Sequence, residues 1–86
     1  MQDITKIVEP RSQNYNSTKT ARVLLILEAA VARHKRGDLE SAILLCKEAR
    51  KIDPNNVVVL QLSGTFGFEA KQFDSALDFL SKAISL

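Results

Sequence analysis

Few side chains in this sequence are suited to acid–base or nucleophilic chemistry, since its 86 residues include one histidine, His34, and one cysteine, Cys46. His34 follows Arg33 near a predicted helix end, where the helix dipole favours a cation, and a general base also needs a reacting group nearby. Cys46 falls at an apolar helical position, where cysteine behaves as a small hydrophobic side chain. One histidine and one cysteine do not complete a zinc site. We therefore expect a non-enzymatic protein without metal or cofactor.

Phosphate-binding signals are weak as well. The segment 64–67, Gly-Thr-Phe-Gly, has no lysine and falls inside a predicted helix, unlike a phosphate-binding loop. The formal net charge is +2, and the basic segments 33–36 and 50–51 fall in last helical turns, where they complement the dipole. A nucleic-acid surface needs more positive charge and stacking aromatic side chains. We expect no nucleic-acid partner.

Cellular location is indicated by the cysteine count and by apolar segment length. A single cysteine forms no disulfide within the chain, which fits a reducing compartment. The longest apolar run, 23–32, is interrupted by Glu28. It starts too late for a signal sequence and is shorter than the ~20 residues that span a bilayer. These features predict a cytoplasmic protein without a membrane partner.

Helix start and stop signals predict four helices after an N-terminal arm. Residues 1–17 are polar, contain a proline and lack periodicity, so we expect a flexible arm before a helical domain over 18–86. Ser17 or Thr18 is a candidate N-cap for a first helix ending near Arg36. Gly37 is a natural helix stop, and Asp38 is a candidate N-cap for the second helix.

The second half of the sequence contains a similar set of helix stop and start signals. Asp53 and Pro54 close the second helix and open a third over about 55–71, with Asp53 as its predicted cap. The fourth helix is predicted from Phe73 to the end of the sequence, because its apolar residues recur at steps of three and four.

An internal repeat appears when the sequence is shifted by 34 residues, which places Ala42 on Ala76 and Ala49 on Ala83. Size and polarity agree at further pairs: Val23 with Val57, Ile26 with Leu60, Ala30 with Gly64, and Cys46 with Leu80. Small residues at these positions let antiparallel helices approach closely, and bulky ones fill the space between them.

With this period and these small and bulky positions, the sequence resembles the tetratricopeptide repeat (TPR) family, whose unit is ~34 residues long. The resemblance implies an all-α fold of tandem antiparallel helix hairpins, a fragment of an α-solenoid, with repeats at about 23–56 and 57–86. It implies structural roles for a set of mostly small residues, namely Ala30, Ala42, Ala49, Pro54, Gly64, Ala76 and Ala83.

The sequence departs from the family where a tyrosine is usual in the first helix of each repeat, since Arg33 and Gly67 occupy those positions. Gly67 lies three residues after Gly64. Each glycine in a helix costs about 1 kcal/mol relative to alanine. The third helix is therefore expected to be the weak element.

By the same resemblance, the first helices of the repeats line a groove that binds a protein or peptide. The implied groove residues are Leu24, Leu27, Val31, His34, Lys35, Val58, Gln61, Thr65, Phe68 and Glu69. Co-chaperone members hold a peptide carboxylate with a lysine–asparagine clamp, but Leu27, Val31 and Leu62 occupy the corresponding positions here. We expect a protein-interaction module that does not bind heat-shock-chaperone tails.

Two alternatives concern what surrounds this module. The first helix is apolar nearly all round over 23–27 and 29–32, so either the N-terminal arm or a partner is expected to cover it. The partner is a helix, a second copy in a homo-oligomer, or the rest of a longer repeat array. Segment 32–38 also resembles repeats ahead of bacterial glycosyltransferase and sulfotransferase domains, which implies substrate-protein recognition or assembly in a larger enzyme.

Overall fold

Within residues 11–86, four helices form two consecutive hairpins. The computed structural model describes residues 11–86, with side chains from Thr18 onward. The helices are α1 (Arg11–Lys35), α2 (Leu39–Ile52), α3 (Val57–Glu69) and α4 (Phe73–Ser85). The connections of three, four and three residues are short enough to make neighbouring helices antiparallel, and no strand occurs among residues 11–86. The all-α hairpin fold predicted from the sequence is confirmed.

The start of α1 differs from the prediction, because the helix begins at Arg11 and not at Ser17 or Thr18. Pro10 is the last helix breaker before the first predicted helix, and α1 starts directly after it. Serine and threonine favour caps but are tolerated inside a helix when no stop signal accompanies them. Residues 1–10, the larger part of the predicted arm, lie outside the described residues.

The predicted N-cap of α3, Asp53, is also wrong. Asn56 is the N-cap, and its side-chain oxygen accepts a hydrogen bond from the Val59 N–H at 3.1 Å. Asp53 instead ends α2, where its N–H donates to the Ala49 carbonyl at 2.9 Å. The turn between these helices places three residues after Asp53 before α3 begins, which is too far for Asp53 to cap α3.

The turns inside the two hairpins have the same backbone structure, 34 residues apart. After α1, the Asp38 N–H donates to the Arg33 carbonyl at 2.9 Å, and Gly37 has a positive φ of 84°. After α3, the Gln72 N–H donates to the Gly67 carbonyl at 2.8 Å, and Lys71 has a φ of 63°. Both are Schellman motifs, in which a left-handed residue satisfies the last carbonyls of the helix.

The N-cap that follows the first turn is confirmed. The Asp38 carboxylate accepts a hydrogen bond from the Ser41 N–H at 3.1 Å. The side chain and backbone of Ser41, with nearby Arg33, lower the pKa of Asp38 from its usual value. The carboxylate therefore stays ionised beside the positive end of α2.

The core lies between the helices at the predicted small residues. Alanines 30, 42, 49 and 76 are fully buried, Ala83 is 9% exposed, and Gly64 is buried. One core cluster joins Val23 and Leu27 of α1 to Ala49 of α2 and Val59 of α3. A second joins Ala30, Ala42, Cys46 and Phe66. Pro54 is exposed in the α2–α3 connection, so its role is limited to the turn.

A close approach between two helices occurs in the second hairpin, at Gly64. A methyl group added there would lie 2.5 Å from the Leu80 side chain and 3.3 Å from the Ala76 carbonyl oxygen. At the equivalent place in the first hairpin, Ala30 and the smaller Cys46 belong to one buried cluster. The two hairpins thus fill the same space with opposite combinations of large and small side chains.

Candidate binding groove between α1 and α3

An apolar groove runs along one side of the two hairpins between their first helices. Its volume is about 420 Å³, and it is lined by Leu24, Leu27, Glu28, Val31, Ala32 and Lys35 of α1 and by Val58 and Leu62 of α3. Leu24 and Val58 are 53% and 52% exposed, whereas Leu27 is 6% exposed and forms part of the floor. Half-exposed leucine and valine on facing walls make a surface that an apolar side chain can fill.

The groove follows the internal repeat. Leu24 and Val58 occupy the same repeat position in the two hairpins, and Glu28 and Leu62 occupy another, one helical turn later. A helix presents residues separated by three or four positions on one side, so each repeat contributes one wall. Two charged side chains line the groove, Glu28 and Lys35, about 10 Å apart along α1.

His34 connects the two walls. Its Nε2 lies 2.8 Å from Oε1 of Glu69, which links the last turn of α1 to the last turn of α3. The imidazole also stacks on the Phe66 ring, with 4.7 Å between centroids and 20° between planes. His34 therefore holds the first helices of the two hairpins together, a contact that sequence spacing did not reveal because the two residues are 35 positions apart.

The structure places the ten expected groove residues in three groups. Leu24, Leu27, Val31, Lys35 and Val58 line the groove. His34 and Glu69 form the contact between its walls. The remaining three, Gln61, Thr65 and Phe68, are exposed on α3 and are not among the lining residues.

Phe68 packs edge-on against Phe73 of α4, with 5.1 Å between ring centroids, so it is engaged within the second hairpin. Glu28 and Ala32 line the groove but were not expected to, and Leu62, which the resemblance placed only at a clamp position, lines it as well. Helical periodicity could have identified Glu28 and Leu62, because each lies four residues after an expected groove residue.

A polar contact lies away from the groove, where α2 meets α3 and α4. The Arg50 guanidinium donates to Ser63 Oγ at 2.7 Å and lies over the Phe79 ring at 4.2 Å. Burial lowers the pKa of Arg50 from its usual value, although a guanidinium remains charged. Arg50 thereby joins three helices through one side chain.

Cys46 is fully buried beside this contact. Burial raises the pKa of its thiol, an effect that Ser63 and Arg50 reduce. The protonated thiol is a poor nucleophile. Cys46 thus contributes packing volume to the cluster of Ala30, Ala42 and Phe66.

Neither a metal site nor a membrane-spanning helix is found among residues 11–86. No group of three or more His, Cys, Asp or Glu side chains there is arranged to hold a metal ion. The four helices described are each too short or too polar to cross a bilayer. Arg33 Nη1 lies 3.8 Å from Asp38 Oδ2, so this member of the basic segment 33–36 contacts the turn after α1.

Comparison with known proteins gives no matching family model, no matching curated protein and no matching solved structure.

Proposed function

We propose that this chain is a non-catalytic protein-interaction module of the TPR type, which binds an amphipathic helix or an apolar peptide in the α1–α3 groove. The observation that carries the proposal is the groove itself, with apolar walls contributed by the same positions of two successive hairpins. Apolar side chains spaced by three or four residues on a partner helix match such a groove.

The charges at the groove define the chemistry of the partner. A basic side chain opposite Glu28 and an acidic side chain opposite Lys35, about 10 Å further along, complement the two charged lining residues. Leucine or a similar side chain between them would contact Leu24, Val31 and Val58. The partner is therefore an amphipathic helix of two to three turns with opposite charges at its ends.

A reducing compartment such as the cytoplasm suits this role. The buried Cys46 has no second cysteine in the sequence with which to pair. Protein-interaction modules whose core contains an unpaired thiol do not depend on oxidation for stability.

The groove can be tested with a designed helical peptide that carries leucines at positions i, i+4 and i+7 between one lysine and one glutamate. We expect the peptide to bind and to shift the methyl NMR signals of Leu24, Val31, Val58 and Leu62. The variant Val58→Asp is expected to weaken binding about tenfold or more, because it places a charge in the apolar wall.

The matched control is Leu44→Asp, which introduces the same charge at a leucine that is 56% exposed on α2, away from the groove. It should leave peptide affinity unchanged. A peptide in which serine replaces the leucines should not bind. Methyl shifts confined to other surfaces, or equal weakening by both variants, would show that the groove is not the binding site.

A further inference from the structure

Two helix faces at opposite ends of the hairpin pair expose large apolar side chains outside the groove. On α4, Ile84 is 86% exposed, Leu86 59% and Leu77 58%. On α1, Leu25 is 66% exposed. We call the first set, with the half-buried Leu80 and the buried Ala83, the α4 face, and Leu25 with Ala29 and Ala32 the α1 face; Ala32 also lines the edge of the groove.

The interface between the two hairpins shows how such faces are covered inside the chain. There, Ala49 and Ile52 of α2 pack in one cluster with Val59 of α3, which is fully buried. One turn along, Arg50 of α2 donates to Ser63 of α3, which is 4% exposed. This α2–α3 interface therefore buries a defined set of positions in each helix.

The 34-residue repeat relates these positions to residues of the two end faces. On the α4 face, the residues 34 positions after Ala49, Arg50 and Ile52 are Ala83, Ile84 and Leu86. On the α1 face, Val59, Ser63 and Phe66 become Leu25, Ala29 and Ala32. Three positions that are buried or half-buried at the α2–α3 interface, those of Arg50, Ile52 and Val59, thus have apolar and exposed equivalents at the two ends, namely Ile84, Leu86 and Leu25.

The transferred pairs also match each other in chemistry. The polar pair of Arg50 and Ser63 becomes the apolar pair of Ile84 and Ala29. Neither partner is left as a buried polar group, which would cost stability.

The sizes change in opposite directions across one pair. Phe66 and Cys46 share one cluster, and their equivalents are the small Ala32 and the larger Leu80. Leu80 therefore offsets part of the volume that is lost where Ala32 stands in place of Phe66. The repeat equivalent of the half-buried Leu62 on the α1 face is Glu28. Both positions line the groove, so the Glu28 carboxylate would remain accessible to water.

We infer that the α4 face of one copy stacks on the α1 face of a second copy, with the geometry of the α2–α3 interface. The contact is heterologous, because two different faces meet, so stacking adds copies in one direction and leaves one free face at each end. This inference goes beyond the proposed groove function, since it uses Leu25 and Ile84 and leaves the groove residues Leu24 and Val58 free.

Two single substitutions and their mixture test the arrangement by sedimentation velocity. We expect the unmodified chain to sediment faster as its concentration rises. Leu25→Glu blocks the α1 face and Ile84→Arg blocks the α4 face, and each should weaken association about a hundredfold or more by burying an unpaired charge. Mixed in equal amounts, each variant retains the face that the other lacks, so the mixture should form a dimer of twice the 9.5 kDa chain mass and grow no further.

The controls separate stacking from folding and from groove binding. Both substitutions are at exposed side chains, so the variants should retain the helical circular-dichroism spectrum. Leu44→Arg should associate as the unmodified chain does, because Leu44 is exposed and its repeat equivalent is the exposed Asp78. Leu24→Glu, one residue from Leu25, should stack normally and lose peptide binding.

Three results would overturn the inference. One is an unmodified chain that stays monomeric up to millimolar concentration. Another is a variant mixture that stays monomeric while the unmodified chain associates, because the two intact faces would then be present together without stacking. The third is dimerisation of either variant on its own, which indicates contact between like faces.

Discussion

Single residues decide how closely the helices approach, and the two glycines of α3 show that chemically identical residues have different roles. Gly64 faces Leu80 with no room for a methyl group, since the added carbon would lie 2.5 Å from the Leu80 side chain. Gly67 faces Ala76, and an added methyl would lie at 3.5 Å, an ordinary contact distance. Gly64 is therefore required by packing, whereas Gly67 is not.

Alanine substitution at these two positions should have opposite effects on the free energy of unfolding, measured by urea denaturation. Gly64→Ala gains helix propensity but overpacks the hairpin. Overpacking costs about 1–3 kcal/mol and outweighs the gain in propensity, so this variant should be less stable than the unmodified protein. Gly67→Ala should stabilise by about 0.5–1 kcal/mol, because it removes the entropy cost of glycine without a clash. Equal effects of the two variants would mean that α3 and α4 are further apart than the structure shows.

The sequence predicted which small residues are buried but not the difference between these glycines. A fixed repeat shift identifies Gly64 as the equivalent of Ala30, and both are buried. Whether a methyl fits depends on the facing side chain, which is Leu80 in one hairpin and the equivalent, smaller Cys46 in the other. That information comes only from the distance between helices, so the sequence treated both glycines as equal costs.

At the scale of elements, the two hairpin turns share one backbone structure but differ in how well their residues suit it. The first turn has Gly37 at the left-handed position and Asp38 as a cap. The second has Lys71 at φ 63° and, in the described part of the chain, no side-chain cap bond from Gln72. A left-handed conformation costs a non-glycine residue roughly 1–2 kcal/mol, so the second turn is the less stable one.

Grafting the first turn's residues onto the second should stabilise the protein. Lys71→Gly should gain about 0.5–1 kcal/mol, the difference between relieved strain and the added entropy of glycine. Gln72→Asp should gain about 1 kcal/mol through a cap to α4. Thermal denaturation of both variants measures this, and Gly37→Lys serves as the reverse substitution, with an expected loss of similar size. A loss of stability in Lys71→Gly would contradict the positive φ.

Element existence was predictable from stop signals, but two boundaries were not. The Gly37–Asp38 signal is local, so the end of α1 and the start of α2 follow from it directly. The start of α1 and the cap of α3 depend on which of several competent residues is used: Asp53 and Asn56 are both good caps, and the length of the connection selects Asn56. The contact of His34 with Glu69 depends on how two hairpins stack, which no local signal reports.

For the whole molecule, stability depends on the contact between the two hairpins, because the core clusters include residues from both. Cys46 lies inside this contact, fully buried and with a raised pKa. The thiolate is the nucleophile that attacks an electrophilic thiol reagent, so reaction requires the hairpins to separate and the thiol to ionise. Cys46 is therefore a reporter of hairpin separation.

Labelling of Cys46 should be at least about a hundredfold slower in the native protein than in denaturant, which corresponds to an opening free energy near 3 kcal/mol. A raised pKa favours the protonated, unreactive thiol, so any reaction within the closed state should increase as pH rises above the usual thiol range near 8.5. Leu44→Cys in a Cys46→Ser background is the exposed control on the same helix and should react rapidly. Similar rates at both positions would mean that the hairpins are separated much of the time.

The reciprocal side-chain sizes inside the hairpins have a consequence for chains that exchange helices during synthesis at high concentration. If α4 of one copy paired with α1 of another in place of α3, Leu80 would meet the methyl of Ala30 where only a glycine fits. If α2 took the place of α4, Cys46 opposite Gly64 would leave a void. One wrong pairing is too crowded and the other too empty, so each helix discriminates in favour of its own neighbour despite the similarity of the two repeats.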